Sequence, residues 1–397
     1  MHIVQILPEL NQGGVERGVV ELNRELVKLG HQSTVISAGG TQAEQIETNG
    51  GRHITLDVCS KNPLTFPFRV FTLRRTLQKL MREQAVESQK SKVKGQQPSQ
   101  PPAFKSQVSN FKFPPIVLHV RSRVPAWLCH FANKKLKIPF VTTVHGFNSV
   151  NRYSEIMTKG DAVICVSNPV KEYIQKNYGT PEEKIIVIHR GIDSAEFDPE
   201  KLHAEWMSSF KEKQGLTGKY VVTAVGRITE LKDYETFIRA ISECSTDLPN
   251  ICGLIVGGVR HDKQAYYDRL QALVKELGAE EQIVFAGSHN HMPEIYALSD
   301  VLVSSSKKPE SFGRTLIEAM SMNTPVIAPR HGGALDIIEE GKNGFLFTPG
   351  DTEELANAIR QQKESTPSDL REYVIKNFSL KQMVEGTLDV YKSHIAK

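Results

Sequence analysis

The sequence predicts an α/β protein of two doubly wound domains, each a parallel sheet between layers of helices. Two observations predict this fold class. Short runs rich in β-branched residues alternate with helical patterns along both halves of the chain, the order that βαβ units require. The chain also has 397 residues, which exceeds the size at which one hydrophobic core keeps growing. Ligands of such domains are expected at the carboxyl ends of the strands.

In the first half, runs in which Val, Ile and Thr predominate are predicted to be strands. They are residues 2–7, 32–38, 116–120, 140–144, 162–167 and 185–189. Apolar residues recurring with a helical period lie between them. The helices predicted there are 15–29, 66–82 and 170–176.

The second half repeats this alternation. Its predicted strands are residues 220–225, 252–257, 282–286, 301–304, 325–328 and 344–347. Its predicted helices are residues 234–242, 264–277, 293–297, 315–321 and 353–362. Two βα repeats of this kind predict two domains that face each other across a central cleft.

The boundary between the domains is predicted within residues 198–218, where a polar helix separates the two βα repeats. The N-terminal domain is then residues 1–200 and the C-terminal domain residues 201–380. Residues 381–397 are predicted to form a final helix that packs back on the first domain. Residues 86–115 hold few large apolar side chains before Phe104. They predict a flexible insertion.

Composition indicates a protein of a reducing compartment. Five cysteines form an odd number without CxxC spacing, which argues against a disulfide framework or a zinc site. The N-terminus lacks the basic and long apolar regions of a signal peptide. No apolar run approaches the ~18 residues of a membrane span. We therefore expect a cytoplasmic protein.

Charge is distributed unevenly. Residues 1–200 carry 26 Lys and Arg against 18 Asp and Glu, whereas residues 201–397 carry 23 against 27. Residues 68–137 alone hold 15 basic and 2 acidic residues. This basic segment is suited to an anionic lipid surface or a phosphorylated acceptor, or forms a solvated face.

Two carboxylates, Glu310 and Glu318, are the strongest candidates for binding chemistry. Residues 315–321 are predicted to be helical, and Phe312-Gly313 before them is suited to a loop-to-helix junction. A helix N-terminus attracts anions. Glu310 then precedes the helix and Glu318 lies inside it, so a phosphate-bearing ligand fits between them.

In each domain a glycine motif follows the first predicted strand. Gly13-Gly14 opens the first helix, with Arg17 in its first turn, which suits phosphate contact or simply a tight turn. Arg227 and Lys232 follow Gly226 at a strand end. A bidentate guanidinium and a compact ammonium commonly neutralise a diphosphate, although two surface cations beside acidic residues give the same pattern.

Basic residues end two further strands of the first domain. His145 follows the strand at 140–144 and precedes a glycine, where it is suited to donate to a sugar hydroxyl or to be a structural histidine. His119, Arg121 and Arg123 end the strand at 116–120. They are candidates for contact with a phosphate or an acceptor.

Together these motifs resemble the retaining family 4 glycosyltransferases (glycosyl transferases group 1) of the GT-B fold. The resemblance covers nearly the whole chain, and the Glu-x7-Glu spacing of Glu310 and Glu318 is its most specific part. Its other parts are Gly13-Gly14, His145-Gly146, Gly226-Arg227 with Lys232, residues 325–328 and Gly332-Gly333.

The resemblance implies a role for each motif. Glu310 would bind hydroxyls of the transferred sugar, Glu318 the nucleotide ribose, and Arg227 with Lys232 the leaving diphosphate. His145 would position the sugar and stabilise charge. The remaining donor contacts implied are Gly13, Gly14, Phe312, Gly313, Arg314 and Thr315, with Arg17, His119, Arg121 and Arg123 on the acceptor side.

Two positions depart from the family pattern. Asp233 follows Lys232 where a glycine is usual, which we interpret as a tolerable loop change. Asp336 stands where a glutamate usually follows Gly332-Gly333. The shorter side chain is predicted to lie near the donor pocket and to influence donor choice.

The leading hypothesis is a metal-independent, retaining hexosyltransferase that uses a nucleotide diphosphate sugar, without a cofactor and without nucleic acid. Its acceptor is a saccharide, expected to be lipid-linked, as in lipopolysaccharide core or another envelope polysaccharide. The chain contains no Asp-x-Asp triplet that would indicate a metal site. The alternatives are another GT-B enzyme, such as a nucleotide-sugar epimerase or a phosphorylase, and a nucleotide-sugar-binding protein without catalysis.

Residues 66–82 suggest where the protein meets a membrane. Phe71, Leu77, Leu80 and Met81 alternate with five basic residues, a pattern suited to an interfacial helix or to packing on the domain's own sheet. We therefore expect peripheral association with the inner face of the cytoplasmic membrane.

Overall fold

The chain folds into two compact units. The structure, a computed structural model, describes residues 1–11, 13–93, 115–365 and 367–395, with only the backbone of 87–93. The first unit contains Met1–Val166, Lys171–Ile188 and the residues from Val384 onward. The second contains Ser167–Val170 and His189–Met383.

The first unit is built on a parallel sheet with the strand order β3-β2-β1-β4-β5-β6-β7 among the described residues. Its strands are β1 (His2–Ile6), β2 (Gln32–Ser37), β3 (Arg52–Thr55), β4 (Ile116–Val120), β5 (Phe140–Val144), β6 (Ala162–Cys165) and β7 (Ile185–Val187). All five residues of β1 and of β5 are buried, as expected of parallel strands covered on both faces. The strand order reverses between β1 and β4, the position at which doubly wound sheets open a ligand crevice.

Helices connect these strands. They are α1 (Gly14–Lys28), α2 (Ala43–Thr48), α3 (Phe66–Val93), α4 (Arg123–Asn133), α5 (Arg152–Glu155) and α6 (Asn168–Tyr178). Leu73, Leu77 and Leu80 of α3 are buried, while Phe68 and Phe71 are 70% and 47% exposed. Within the described ranges, no helix is long and apolar enough to cross a bilayer.

A second parallel sheet, ordered β10-β9-β8-β11-β12-β13, forms the centre of the second unit as described. Its strands are β8 (Tyr220–Val225), β9 (Ile251–Val256), β10 (Ile283–Gly287), β11 (Val301–Val303), β12 (Val326–Pro329) and β13 (Gly344–Phe347). The helices are α7 (Ala204–Lys213), α8 (Tyr234–Cys244), α9 (Gln264–Glu276), α10 (Met292–Leu298), α11 (Arg314–Ser321), α12 (Ala334–Ile337), α13 (Thr352–Glu364) and α14 (Leu370–Phe378). The last helix, α15 (Leu380–Ile395), begins in this unit and continues in the first. One face of the sheet packs on α8, α9 and α13 through a core that includes Phe237, Leu270 and Ile359.

The prediction of two doubly wound α/β domains is confirmed, and every predicted strand is present with its ends moved by at most two residues. Strand β3 and helices α2, α4, α5, α12 and α14 were not predicted. Four of these elements, β3, α2, α5 and α12, have only four to six residues, so few residues contribute to their patterns. The predicted insertion over 86–115 begins within α3, which continues to Val93, and its flexibility stays a prediction. Residues 94–114 of that insertion lie outside the described residues.

The chain passes from the first unit to the second at a different position from the predicted domain boundary. The chain leaves the first unit after Ile188, before the predicted interval 198–218. The residues in between pack within the second unit because Arg371 of α14 donates hydrogen bonds to the carbonyls of Ser194 and Phe197. The last helix begins in the second unit, and its residues from Val384 belong to the first.

The connection from β8 to α8 contains a backbone conformation that the sequence did not reveal. Asp233 has φ 50° and ψ 52°, in the left-handed region that favours glycine. Its buried carboxylate lies 3.0 Å from Lys307 Nζ and accepts a hydrogen bond of 2.8 Å from Thr236 Oγ1. The carboxylate contacts explain how a non-glycine residue is retained at this position.

We expect the backbone strain at Asp233 to be measurable by comparing Asp233→Gly with Asp233→Ala. Both variants lose the carboxylate contacts, but only alanine keeps a Cβ at positive φ. The alanine variant should therefore unfold with a free energy about 1 kcal/mol lower than the glycine variant. Urea unfolding followed by Trp206 fluorescence in a Trp127→Phe background reports on the second unit. Equal stability of the two variants would contradict this account.

Candidate functional site

The segment from Glu310 to Glu318 forms a loop and the first turns of α11. Phe312 is buried at 3% exposure and anchors the loop, and Gly313 at φ 108° allows the chain to turn into the helix. Because α11 runs from Arg314 to Ser321, Glu310 precedes the helix and Glu318 lies inside it. Thr315 is half-buried in the first turn.

Glu310 is held by two hydrogen-bond donors. Lys232 Nζ lies 2.7 Å from Glu310 Oε1, and Ser306 Oγ donates to the same oxygen at 2.6 Å. Burial alone would raise the pKa of Glu310, but the Lys232 ammonium and the two hydrogen bonds outweigh it and lower the pKa. Glu310 is therefore ionised at neutral pH and accepts further hydrogen bonds.

Lys232 is positioned by backbone contacts of the loop after β8. Ser305 Oγ donates to the Lys232 carbonyl at 2.7 Å, and Tyr234 Oη donates to the Gly226 carbonyl at 2.6 Å. A Cβ at Gly226 would lie 2.7 Å from Lys232 Cε, so the lysine side chain passes directly over this glycine. Arg227, the next residue, is exposed.

Glu318 is fixed through both of its carboxylate oxygens. Tyr296 Oη donates to Oε2 at 2.9 Å, and Arg314 Nε donates to Oε1 at 2.9 Å from one turn earlier in α11. Glu318 is 7% exposed. A buried carboxylate held at both oxygens is preorganised to accept hydroxyl groups.

The Gly332-Gly333 loop after β12 packs on the backbone of Glu310. Gly333 N donates to the Glu310 carbonyl at 2.8 Å, and a Cβ at Gly332 would lie 2.3 Å from that carbonyl oxygen. His331, just before the glycines, contributes to the lowered pKa of Glu310. Both of its ring nitrogens are buried and lack a hydrogen-bond partner within the part of the chain that the structure describes.

Asp336 is engaged in contacts that the sequence did not indicate. Its Oδ2 lies 2.9 Å from His189 Nε2 and accepts a hydrogen bond of 2.7 Å from Asn168 N. Burial raises the pKa of Asp336, but these two hydrogen bonds and the His189 charge outweigh it and lower the pKa. Both contacts lie within the second unit, and the predicted influence of Asp336 on donor choice stays a prediction.

In the first unit, the predicted glycines and Arg17 lie at the start of α1. Gly13 precedes α1 and Gly14 begins it, and a Cβ at Gly13 would lie 2.2 Å from the Glu16 carboxylate. Arg17 Nε pairs with Glu21 at 3.0 Å in the same helix. The two glycines therefore lie at a helix N-terminus, as predicted.

His119 and Arg121 are buried inside the first unit. The ring of His119 hydrogen-bonds Tyr391 Oη and Thr143 Oγ1, each at 2.5 Å. Arg121 donates to Gln5 Oε1 at 3.0 Å, and burial lowers the pKa of its guanidinium to about 10. These contacts hold α15 against the sheet, so the structure gives both residues a packing role and leaves neither accessible to an acceptor.

Arg123 and His145 lie nearer the surface. Arg123 begins α4, where it donates to Ser154 Oγ at 3.2 Å and lies over the Tyr153 ring. His145 is half-buried directly after β5. Both therefore follow the carboxyl ends of strands, as the sequence predicts.

In the second unit the structure brings together Lys232, Glu310 and the Gly332-Gly333 loop. They follow β8, β11 and β12, which are neighbours in the sheet, and their carboxyl ends therefore meet at one edge. Sequence reasoning missed Ser306, Tyr296 and His331. The Ser304-Ser305-Ser306 run before the lysines was the one signal that pointed to hydroxyl donors here.

Comparisons with known proteins agree with this geometry. Residues 12–196 match the Glycosyltransferase Family 4 model, and residues 207–379 match the model for Glycosyl transferases group 1. A glycosyltransferase from Rickettsia africae ESF-5 has a crystal structure that is 30% identical, with a TM-score of 0.81 over 99% of this chain and 98% of that one.

Two further relatives are more distant. Anabaena HepE, solved with UDP-glucose, is 20% identical with a TM-score of 0.78 over 99% of this chain and 100% of that one, which supports the fold. A lipopolysaccharide core biosynthesis mannosyltransferase of Rhizobium leguminosarum is 27% identical over 233 residues, 58% of this chain and 62% of the relative. With two parallel-sheet units and matches to both family models, the chain belongs to the group 1 and family 4 glycosyltransferases of the GT-B fold.

Proposed function

We propose that this glycosyltransferase moves a hexose, with retention, from a nucleotide diphosphate sugar to a lipid-linked saccharide acceptor. The observation that carries the proposal is the Lys232–Glu310 pair, 2.7 Å apart, beside a separately fixed Glu318. A cation for phosphate and two carboxylates for hydroxyls match the groups of such a donor.

The charges suggest how departure of the nucleoside diphosphate is promoted. Lys232 and the exposed Arg227 would bind the diphosphate, whose negative charge grows as the sugar leaves. Glu310 would accept hydrogen bonds from sugar hydroxyls and Glu318 from the ribose. Because these groups are fixed beforehand, they stabilise the developing charge without reorganising. The proposal includes no metal ion.

In the first unit, Gly13 and Gly14 would bind phosphate through backbone N–H groups, and His145 would position the sugar. Arg17 and Arg123 would act on the acceptor side. His119 and Arg121 have no part in this proposal because both are buried in packing contacts. The Anabaena relative solved with UDP-glucose supports a uridine donor as the first to test.

The lipid-linked acceptor is supported by the surface of α3. Leu77 and Leu80 are buried, so the interfacial face consists of the exposed Phe68, Phe71 and Met81. Arg75 lies 4.3 Å from the centre of the Phe71 ring. Aromatic side chains beside cations suit the headgroup region of an anionic membrane, and we propose peripheral attachment to the inner face of the cytoplasmic membrane. The lipopolysaccharide relative supports an envelope polysaccharide as product.

Substitution of the charged pair tests the site. Glu310→Ala and Lys232→Ala should each lower kcat by at least ~10²-fold, because a preorganised charge is lost. Lys342→Ala is the matched control, since Lys342 forms a surface pair with Glu339 at 2.9 Å and its side chain is 78% exposed. Initial rates of nucleotide release measure the effect. Rates close to wild type in both site variants would refute the assignment.

Donor identity can be measured by thermal shift. In the presence of EDTA we expect one nucleotide family, among UDP-glucose, UDP-galactose, UDP-N-acetylglucosamine and GDP-mannose, to raise Tm, because a ligand of the folded state stabilises it by mass action. Glu318→Ala should abolish the shift. A shift that appears only when Mg²⁺ replaces EDTA would contradict metal independence.

Vesicle flotation tests membrane attachment. At low salt, vesicles with anionic lipid should carry the protein and neutral vesicles should not, and Phe68→Ser/Phe71→Ser should reduce binding. Leu335→Ser/Ile375→Ser is the control, as these residues of the second unit are 47% and 42% exposed. Equal, poor retention on both vesicle types would remove this part of the proposal.

A further inference from the structure

A cavity of about 410 Å³ opens in the first unit. It is bordered by three segments: the loop between β3 and α3, the start of α4 and Tyr153 of α5. Each segment follows a strand of the parallel sheet, so the cavity lies at the carboxyl edge of the sheet, where doubly wound domains bind ligands. Its volume is that of a small-molecule site.

Two large polar side chains of the cavity wall, Arg69 and Trp127, are hydrogen-bonded within the wall. Arg69 donates to the carbonyls of Ser60 and Asn62 at 2.6 and 2.9 Å. Trp127 Nε1 donates to the Tyr153 carbonyl at 3.0 Å. What Arg69 and Trp127 leave for a ligand is therefore mainly their apolar surface.

Aromatic packing keeps the wall rigid. Phe131 lies edge-on to Phe66, with ring centres 5.7 Å apart, and stacks on Trp127 at 6.0 Å. Phe66 and Trp127 both line the cavity. A preformed apolar wall binds a flexible chain without the cost of ordering the protein.

One cation on the cavity wall is available for a charged group. Lys61 is exposed and, within the described residues, has no ion-pair or hydrogen-bond partner. Leu64 and Phe68, close by along the chain, are 87% and 70% exposed. An apolar cavity, a free ammonium and exposed apolar side chains nearby in the chain complement a hydrocarbon chain that ends in a phosphate.

We propose that this cavity binds the first part of the hydrocarbon chain of the acceptor lipid and that Lys61 binds its phosphate. The proposal rests on the lipid-linked acceptor proposed above and adds where, and through which groups, the lipid is recognised. The ligand class is a prenyl or alkyl phosphate.

Trp127 makes binding directly measurable, because the chain has two tryptophans and the other is Trp206. In a Trp206→Phe variant of the full chain, farnesyl phosphate in monomeric solution should change Trp127 emission saturably. Farnesol should bind more weakly, and inorganic phosphate and glucose 1-phosphate should give no change at the same concentrations.

Two substitutions separate the two halves of the site. Lys61→Glu should weaken farnesyl phosphate binding about 10-fold, the loss expected of a charge-assisted contact, and leave farnesol unchanged. Lys79→Glu, the same change on exposed α3, is its control. Val124→Phe should fill the cavity and abolish both signals, with Val86→Phe as control and Tm as the check on folding.

Three results would overturn the proposal: no saturable signal, equal effects of Lys61→Glu and Lys79→Glu, or tighter binding of glucose 1-phosphate than of farnesyl phosphate. The last would identify a saccharide site. Donor binding is measured separately by thermal shift, so a protein that binds a nucleotide sugar but not farnesyl phosphate would refute this inference and keep glycosyl transfer to a soluble acceptor.

Discussion

The ion pair between Lys232 and Glu310 is the contact around which the second unit's site is arranged. Its partners lie 78 residues apart and follow two neighbouring strands, β8 and β11. The Lys232 ammonium lowers the pKa of the partly buried Glu310 and so keeps this carboxylate ionised. If one partner is removed, the other remains as a partly buried charge whose desolvation is no longer compensated.

Close backbone approach makes this pair possible. Gly226 lies beneath the Lys232 side chain, and Gly332 and Gly333 lie against the Glu310 loop at distances that exclude a Cβ. The glycines thus serve packing around the charges as much as turn formation. At Asp233, by contrast, a residue with a side chain adopts a left-handed backbone conformation, and its carboxylate pairs with Lys307.

The first unit differs in how it uses its charged residues. His119 and Arg121 form a buried network with Tyr391 of the last helix, which fixes the end of the chain on the sheet. At the same edge, Arg123 lies over the Tyr153 ring and Lys61 lines the cavity of this unit. Within this unit the buried His119 and Arg121 therefore support the fold, whereas Arg123 is half-buried and Lys61 is exposed.

The sequence by itself determined the parallel strands, because β-branched runs buried on both faces leave few alternatives. It also predicted that Glu310 precedes a helix, that Glu318 lies inside it and that Lys232 follows a strand, and the structure has this arrangement. Residues that follow neighbouring parallel strands, such as Lys232 and Glu310, converge at one edge. Only the tertiary structure decided that His119 and Arg121 are buried, that Asp336 meets His189, and that Ser306 and Tyr296 hold the two glutamates. Those outcomes depend on contacts between residues distant in the chain, and local patterns carry no information about which polar groups such contacts will satisfy.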